Sequence, residues 1–335
     1  MSVIEVQDLW KRFRGRQGTV EALRGVSLNV EAGEIFGFLG PNGAGKTTTL
    51  RILATLLTPD QGRATVAGHD LVREPGKVRS SLGYISQLGG ADGAATGREN
   101  LLLQARLYGL TRHAAEERVA SLIEQLELTS FVERFVRTYS GGQRRRLDLA
   151  LGLVHRPALL FLDEPSLGLD PQSRVRLWEE VRAQRAAGAT LLLTTHYLEE
   201  ADHLCDRLAI IDDGLIVAEG TPDQLKQQII GDVLTLRLEQ PDARREAALE
   251  LLRAYPTVRS IQEQEESLQL YVEQGEESLV KILRVLEEAQ IGVNSVALAR
   301  PSLDDVFLRQ TGHALRDQTT SSAANKWSRQ GQKRS

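Results

Sequence analysis

One stretch constrains the fold more than any other: the loop GPNGAGKT, residues 40–47, which follows the apolar run EIFGFLG and precedes the helix-compatible segment KTTTLRILATLL. The pattern G-x-x-x-x-G-K-[ST] between a strand and a helix is typical of a loop whose backbone N–H groups surround a phosphate. By chance it would occur in on the order of one chain in a hundred, and the flanking strand and helix reduce that further. The sequence therefore predicts an α/β domain that binds a nucleoside triphosphate.

The loop contributes both backbone and side-chain groups to the predicted site. Its nucleotide-binding residues are Gly40, Pro41, Asn42, Gly43, Ala44, Gly45, Lys46, Thr47 and Thr48. We expect the Lys46 ammonium to reach the β- and γ-phosphates and the Thr47 hydroxyl to coordinate Mg²⁺. The Thr48 hydroxyl can add a contact toward the α-phosphate.

Other apolar runs end in polar residues at comparable points. ALLFLDEP contains Asp163 and Glu164, ATLLLTTH ends at His196, and Gln87 follows LGYIS. Runs that are apolar on both faces favour central strands of a parallel sheet, whose carboxyl ends form the ligand crevice. There Asp163 would hold the Mg²⁺ water shell, Glu164 would polarise the attacking water, and His196 would contact a γ-phosphate oxygen. The competing interpretation for the acids is a solvated surface pair, and periodicity alone makes Gln87 a surface residue.

The stretch YSGGQRRR, residues 139–146, predicts a second phosphate-binding element. Ser140, Gly141 and Gly142 open a predicted helix, and N–H groups at a helix N-terminus that no side chain blocks attract anions. The three arginines that follow are typical of the first turn of a helix that is exposed to solvent. A second interpretation is that one of them supports phosphate or acidic groups across an interface.

Composition excludes several other classes of protein. The 335 residues carry a net charge of −4, which argues against a nucleic-acid partner. The single cysteine, Cys205, excludes an internal disulfide and suits a reducing compartment. No apolar stretch approaches the ~20 residues that span a bilayer, and the N-terminus lacks a signal pattern. We therefore expect a cytoplasmic chain.

The chain divides into three regions by pattern. Residues 1–225 alternate predicted strands and helices, and residues of about 88–156 form a helical insertion with charge on one face. Residues 231–315 follow the order β-α-β-β-α-β, typical of a ferredoxin-like domain, and end in the short helix PSLDDVFLRQTG. Residues 316–335 are basic and rich in Ser, Thr and Gln, a composition that predicts a disordered tail.

Together these motifs resemble the ATP-binding subunit of an ABC transporter. The order of phosphate loop, Gln87, YSGGQ, LLFLDEP, SLGLD and His196 matches that family across residues 3–225. The resemblance implies a P-loop NTPase fold of the ABC type with a helical signature subdomain, and ATP with Mg²⁺ as its ligands.

The resemblance also implies roles for individual residues. The catalytic residues would be Glu164, His196, Lys46 and Gln87. The metal ligands would be Thr47, Gln87 and Asp163. Further nucleotide contacts would come from Phe13, Ser140, Gly141, Gly142, Gln143 and Asp170. Phe13 aligns with the aromatic residue that stacks on adenine, with Trp10 as the competing aromatic, and Asp170 lies in the loop that joins two sites.

Within this family, the chain resembles one branch more closely, the daunorubicin-resistance type of multidrug export ATPase. The segments that carry this resemblance are TGRENL, THYLEEAD, AEGTPDQLK and PSLDDVFLRQTG. Tyr139 departs from the leucine usual in the signature, which we expect to be tolerated because the Ser-Gly-Gly-Gln core is intact. The segment around Gln87 is unusually rich in glycine and alanine.

The partners implied are a second copy of this chain and a separate membrane-spanning permease, with the ATPase peripheral at the cytoplasmic face of the membrane. The cargo implied is a drug, antibiotic or other hydrophobic compound. Two alternatives stay open at this point. One is a soluble ABC-type ATPase for DNA repair or translation, although the long coiled-coil insertion or second cassette of those types is missing. The other is an importer ATPase, which shares the whole core.

Overall fold

The computed structural model describes residues 2–15, 18–228, 231–239, 241–264, 267–299 and 301–312. The chain forms two compact units, of which the first ends at Pro222 and the second begins at Asp223. Residues 223–225, assigned by sequence to the first domain, thus group with the second unit. The predicted tail, 316–335, lies outside the described residues. Among the helices that are described, none is both long and apolar enough to cross a bilayer.

In the residues described, the first unit combines ten strands with seven α-helices. Its strands are β1 (Ser2–Gly15), β2 (Gly18–Glu31), β3 (Ile35–Leu39), β4 (Gln61–Val66), β5 (His69–Asp70), β6 (Leu82–Ile85), β7 (Leu159–Asp163), β8 (Thr190–Thr195), β9 (Arg207–Asp212) and β10 (Leu215–Gly220). Its helices are α1 (Lys46–Leu53), α2 (Pro75–Ser81), α3 (Gly97–Leu107), α4 (Arg112–Gln125), α5 (Gly141–Leu153), α6 (Pro171–Ala186) and α7 (Leu198–Leu204). Helix α8 (Pro222–Gln227) follows at the division between the units.

A six-stranded sheet in the order β10-β9-β3-β8-β7-β6 forms the centre of this unit. Strands β9, β3, β8, β7 and β6 run parallel, and every residue of β3, β7 and β8 is buried. This burial explains why these segments are continuous apolar runs rather than alternating ones. Because the strands are parallel, the residues that follow β3, β6, β7 and β8 all lie at one edge of the sheet.

A second sheet, antiparallel in the order β2-β1-β4-β5, packs against the first through a shared apolar core. Residues such as Ile4, Leu9 and Val30 meet Phe36 and Phe38 in that core. The sequence patterns gave no indication of this pairing, because β1 and β2 extend over 14 residues each and irregular register interrupts their alternation. Strand β2 of this second sheet contacts the phosphate loop at Gly45.

Helices α3, α4 and α5 form the predicted helical region, with a short 3₁₀ helix at Val136–Thr138 before α5. Capping boxes fix the starts of two of them: Thr96 with Glu99 at α3, and Ser140 with Gln143 at α5. The second box sets the point at which the signature motif changes from loop to helix.

The second unit has the predicted β-α-β-β-α-β order. Its elements are β11 (Asp232–Leu238), α9 (Pro241–Arg253), β12 (Val258–Glu263), β13 (Leu268–Val272), α10 (Gly275–Glu288), β14 (Val293–Ala299) and α11 (Leu303–Thr311). The antiparallel sheet has the order β12-β13-β11-β14, which places the third strand of the motif beside the first. Helix α11 begins after a Ser302–Asp305 capping box and ends at Gly312 in the left-handed conformation.

Candidate functional site

The phosphate loop is held in shape by close packing against β2. Gly45 has a φ of 110°, and a methyl group at this position would come within 2.7 Å of the Ala22 carbonyl oxygen. Glycine is therefore required here by both backbone conformation and space. Lys46 begins α1, and its ammonium donates to the carbonyl oxygens of Gly40 at 2.7 Å and Pro41 at 3.1 Å. The Lys46 side chain therefore folds back along the phosphate loop, where its ammonium is predicted to bind phosphate.

Asp163 is fully buried at the end of β7 and accepts hydrogen bonds from three side chains. The hydroxyls of Thr47 and Thr194 each donate to its Oδ1 at 2.8 Å, and the Tyr84 hydroxyl donates to Oδ2 at 3.2 Å. Burial, followed by the charge of Asp163, raises the pKa of Tyr84 to about 12, so Tyr84 remains a donor. The structure therefore brings together two of the three predicted metal ligands, Thr47 and Asp163.

The donor chemistry at this point fits Mg²⁺. A hydroxyl and a carboxylate are hard oxygen donors, and Mg²⁺ commonly takes one or two protein oxygens together with substrate phosphates and water. Within the described residues, no group of three or more His, Cys, Asp and Glu side chains could hold a metal without such help. A site of this kind depends on the nucleotide to complete it.

Glu164 follows Asp163 and is buried between two predicted site residues. Its Oε1 lies 3.2 Å from the Lys46 ammonium, and its Oε2 forms a short hydrogen bond with Nδ1 of His196. Burial acts to raise the pKa of Glu164, but the His196 hydrogen bond and the Lys46 charge together lower it below its ordinary value. The carboxylate is therefore ionised and able to accept a proton from water.

The backbone at Glu164 is unusual, with a φ of 49° in the left-handed region. A non-glycine residue rarely adopts this conformation, and observed outliers of this kind concentrate at functional sites. Its N–H donates to Thr194 Oγ1 at 3.0 Å, which holds the turn against β8. The turn directs the carboxylate toward the phosphate loop rather than along the strand.

Gln87 lies in a turn directly after β6, and its side chain is exposed. Strand β6 is the neighbour of β7, so Gln87 lies at the same sheet edge as Asp163. The turn is closed by the Ser86 hydroxyl, which donates to the Gly89 carbonyl at 2.9 Å. Unlike Lys46 and His196, Gln87 lies outside the hydrogen-bonded cluster around Glu164 in the described residues.

The signature residues lie apart from this cluster. Ser140 is exposed, and its hydroxyl oxygen accepts a hydrogen bond from the Gln143 N–H at 3.3 Å. The Ser140 N–H in turn donates to Oε1 of Gln143. A methyl group on Gly142 would come within 2.7 Å of Ser173 Oγ, whereas the nearest atom to one on Gly141 would be 3.8 Å away. Among the residues described here, no hydrogen bond or ion pair joins Ser140 to the phosphate loop of its own chain.

Asp170 is exposed and caps helix α6. Its carboxylate accepts from the Ser173 N–H at 2.9 Å and the Ser173 hydroxyl at 2.7 Å. Within the chain, Asp170 therefore stabilises the start of α6, and its contact with nucleotide stays a prediction.

Phe13 lies near the end of β1 and is 41% exposed. The competing aromatic, Trp10, donates from its indole nitrogen to Asp8 Oδ1 at 2.9 Å and lies beneath the Arg12 guanidinium. The Lys11 ammonium lies 5.7 Å from the centre of the Phe13 ring, so each aromatic has a cation beside it, but Phe13 is the more exposed of the two and its phenyl ring has no hydrogen bond to satisfy.

The three arginines after the signature have three different environments. Arg144 is exposed, and Arg146 lies with its guanidinium 5.1 Å from the centre of the Phe131 ring. Arg145 is only 8% exposed, so the prediction of a solvated helix start is wrong for this residue. The sequence could not reveal this, since burial of one arginine in three depends on what packs against the helix.

Sequence reasoning also missed several buried polar residues. Thr194 and Tyr84 contact Asp163, and the fully buried Glu200 accepts from Ser166 and from the Trp178 indole at 3.1 Å. The threonines at the end of ATLLLTTH are a usable signal, since hydroxyls in a central strand need partners. The tyrosine in LGYIS gives no such signal.

The chain matches known proteins across both units. A family model described as ABC transporter covers residues 23–167, and one described as the C-terminal domain of ATP-binding protein DrrA1-3-like proteins covers residues 220–311. The daunorubicin/doxorubicin resistance ATP-binding protein DrrA of Streptomyces peucetius is 44% identical, over 96% of each chain. This chain belongs to the ABC transporter ATP-binding proteins.

Further comparisons agree with this membership. The Nod factor export ATP-binding protein I of Burkholderia pseudomallei is 40% identical, over 94% of this chain and 98% of that protein. A solved ATP-binding subunit of an ABC transporter is 32% identical, with a TM-score of 0.60 over 68% of this chain and 92% of that one. The predicted P-loop fold of the ABC type and the resemblance to the daunorubicin-resistance branch are confirmed.

As an ABC transporter ATP-binding protein, the chain binds and hydrolyses ATP. Its fold places the phosphate loop, Asp163, Glu164 and His196 at one edge of the central sheet, as that activity requires. The transporter function is supported over the two non-transport alternatives, DNA repair and translation.

Proposed function

We propose that ATP binds with its phosphates on the loop of residues 40–47 and its base against Phe13. The hydrogen bond between Thr47 and Asp163 supports a Mg²⁺ site at these two residues, with Gln87 approaching from the end of β6. When bound, Mg²⁺ would neutralise charge on the β- and γ-phosphates. Lys46 would exchange its carbonyl and Glu164 contacts for phosphate oxygens.

Glu164 is the proposed general base. Its ionised carboxylate accepts the proton of the water that attacks the γ-phosphate, and His196 orients the carboxylate through Nδ1. The same carboxylate lies 3.2 Å from the Lys46 ammonium, so a bound γ-phosphate would compete with Glu164 for this lysine. Enzymes accelerate phosphoryl transfer mainly by positioning the reacting groups and by stabilising the charge of the transition state. A site with one general base and fixed hydrogen-bond donors is suited to this kind of catalysis.

The second phosphate element acts in a dimer. Ser140 and the exposed N–H of Gly141 lie at the start of α5, where the helix dipole favours an anion, yet they are unconnected to their own phosphate loop. A second copy in head-to-tail arrangement would place them on the γ-phosphate bound to the first, and Gln143 and Asp170 would line the same interface. Closure is then favoured while the γ-phosphate lies between two donor sets, and hydrolysis removes the attraction.

The dimer drives a separate permease at the cytoplasmic face of the membrane, and the direction of transport is export. The 44% identity to a daunorubicin/doxorubicin resistance protein supports a drug, antibiotic or similar hydrophobic compound as cargo. The 40% identity to an ATP-binding protein of Nod factor export supports outward transport over import. The match at 44% identity over 96% of each chain is the observation that carries this proposal.

Reconstitution tests it directly. The chain would be co-expressed with a membrane protein encoded beside it, purified with it, and placed in liposomes containing doxorubicin. ATP added on the ATPase side should change the distribution of the drug, and Glu164→Gln complexes should not. Failure of the chain to associate with any adjacent membrane protein would contradict the transporter role, and accumulation in the opposite direction would favour an importer.

A further inference from the structure

Arg145 connects the signature helix to the ends of two strands of the central sheet. Its Nη1 donates to the Ser86 carbonyl at 3.0 Å, and its Nη2 donates to the Asp163 carbonyl at 3.4 Å. These are the residues immediately before Gln87 and Glu164. One buried guanidinium thus bridges the backbone just ahead of both residues.

Asp148, three residues further along α5, holds the other end of the same turn. Its Oδ1 accepts the Gly90 N–H at 3.1 Å, and the side chain is 5% exposed. The turn lies so close that a methyl group on Gly89 would come within 2.7 Å of Asp148 Oδ2. Residues three apart share a helix face, so α5 holds residues 86–90 at both ends.

This arrangement accounts for the glycine-rich composition around Gln87. Gly89 has a φ of 77°, and its N–H donates to the Ser86 carbonyl at 3.1 Å. The two large side chains of the turn, Gln87 and Leu88, are exposed, and its backbone packs directly against the helix. Its position is therefore set by Arg145 and Asp148 rather than by internal packing.

The chemistry of the bridge requires arginine. Two carbonyl oxygens on adjacent strands are contacted by two nitrogens of one planar group, whereas lysine has a single nitrogen and can satisfy one of them at a time. Arg144 and Arg146, the neighbours in sequence, are oriented elsewhere. The chain thus uses only the middle arginine of the three in this way.

We propose that Arg145 is a positioning residue that links α5 to Gln87 and Glu164. This rests on the proposed function, since it assumes that Ser140 contacts the γ-phosphate held by a second copy and that Glu164 is the base. Arg145 lies five positions after Ser140, which is about 7.5 Å along a helix. A displacement of the start of α5 on closure is passed through the guanidinium to both strand ends.

The test compares Arg145→Met with Arg118→Met. Arg118, on α4, also bridges two carbonyls, donating to Val154 at 3.2 Å and Leu153 at 2.6 Å, but these acceptors lie at the C-terminal end of α5 and not at the ends of β6 and β7. Arg145→Met should lower kcat at least about tenfold while the Kd for ATP, measured with a fluorescent analogue, changes less than about twofold. Arg118→Met should leave kcat and Kd near those of the wild type. Equal kcat in the two variants would overturn the proposal.

A spectroscopic measurement separates positioning from general destabilisation. Leu88 is 86% exposed beside Gln87, and burial raises the pKa of the only cysteine thiol, Cys205, well above its ordinary value. Leu88→Cys therefore accepts a spin label selectively. Arg145→Met should increase the mobility of that label, and Arg118→Met should not. An unchanged spectrum in the Arg145 variant would contradict the link to this turn.

Two further variants keep the test decisive. If Arg145→Met fails to fold, Arg145→Lys retains the charge and one of the two hydrogen bonds, and its kcat should fall between those of the wild type and Glu164→Gln. Wild-type kcat in Arg145→Lys would overturn the need for the bridge.

Glu164→Gln distinguishes the failure of the proposed function from the failure of the positioning role. If it remains active, the proposed function fails, and if it is inactive while Arg145 variants are normal, only the positioning role fails.

Discussion

The Lys46 ammonium lies 3.2 Å from Oε1 of Glu164, so the cation predicted to bind phosphate and the carboxylate predicted to activate water are paired with each other. Both side chains are buried, and burial lowers the pKa of Lys46 while the charge of Glu164 acts to raise it. An incoming γ-phosphate competes with Glu164 for this lysine. The lysine therefore links the predicted phosphate contact to the predicted base.

Glu164→Gln should abolish hydrolysis and leave ATP binding intact or tighter. The amide cannot accept a proton from water, and its neutral side chain no longer competes for Lys46 or repels the γ-phosphate. Phosphate release and the Kd values for ATP and ADP would be measured on the same preparation. Turnover near the wild-type rate would refute the base assignment, and equal tightening for ATP and ADP would refute the competition.

Lys46→Ala should weaken ATP binding by at least about tenfold, because a buried charge-assisted contact to phosphate is lost. It also leaves Glu164 without its cationic partner, which should reduce thermal stability. Titration with a fluorescent ATP analogue measures the first effect, and Arg112→Ala, which removes an exposed cation on α4, is the control. Undiminished ATP affinity would show that the lysine does not contact the nucleotide.

A structural feature of this protein can be predicted from the sequence when it depends on residues that are close together in the chain. The phosphate loop and the strand ends at Asp163 and His196 follow from contiguous patterns, and all three are found at the same sheet edge. The pairing of β1 with β2 and β4 depends on contacts between distant segments with irregular register, so no local pattern indicates it.

The same distinction applies to individual side chains. Glu164 is identified by its position after an apolar run, but its left-handed backbone and its pairing with Lys46 are tertiary facts. Arg145 looks like its two neighbours in sequence and differs only in what packs against it. Residue type and spacing predict which groups can act, whereas burial decides which of them are held in place.

Tyr139 replaces the usual leucine of the signature, and Gly97 makes room for it. The Tyr139 hydroxyl donates to the Phe131 carbonyl at 2.9 Å, and a methyl group on Gly97 would overlap that hydroxyl. Gly97→Ala should therefore lower the free energy of unfolding by about 1–3 kcal/mol. In a Tyr139→Phe background the cost should be smaller, and the coupling in a double-mutant cycle should be about 1 kcal/mol. Additive effects by urea unfolding would contradict this contact.

Glu180 should make stability depend on pH. Burial, partly offset by the charge of Arg146, raises its pKa from 4.5 to about 7, and its Oε2 is buried without a partner. Because the folded state keeps a proton that the unfolded state releases above pH 4.5, this residue lowers stability as pH rises toward 7 and has no further effect above it. Glu180→Gln should thus gain about 1–3 kcal/mol relative to the wild type between pH 5 and pH 8. A constant difference in unfolding free energy at the two pH values would refute the shift.

The last prediction concerns the composite site. Ser140→Arg removes the hydroxyl that is proposed to contact the γ-phosphate held by a partner copy, and alone it should abolish activity because both composite sites then lack this contact. Glu164→Gln alone should also be inactive. In a heterodimer of the two variants, one composite site carries both defects and the other carries neither, since each site takes Glu164 from one copy and Ser140 from the other. Mixing the two inactive chains should therefore restore measurable ATPase activity, up to about half of the wild-type rate per active dimer. Mixing either inactive chain with itself is the control, and a mixture no more active than these controls, while heterodimers are detected by differential tagging, would contradict a site shared between two copies.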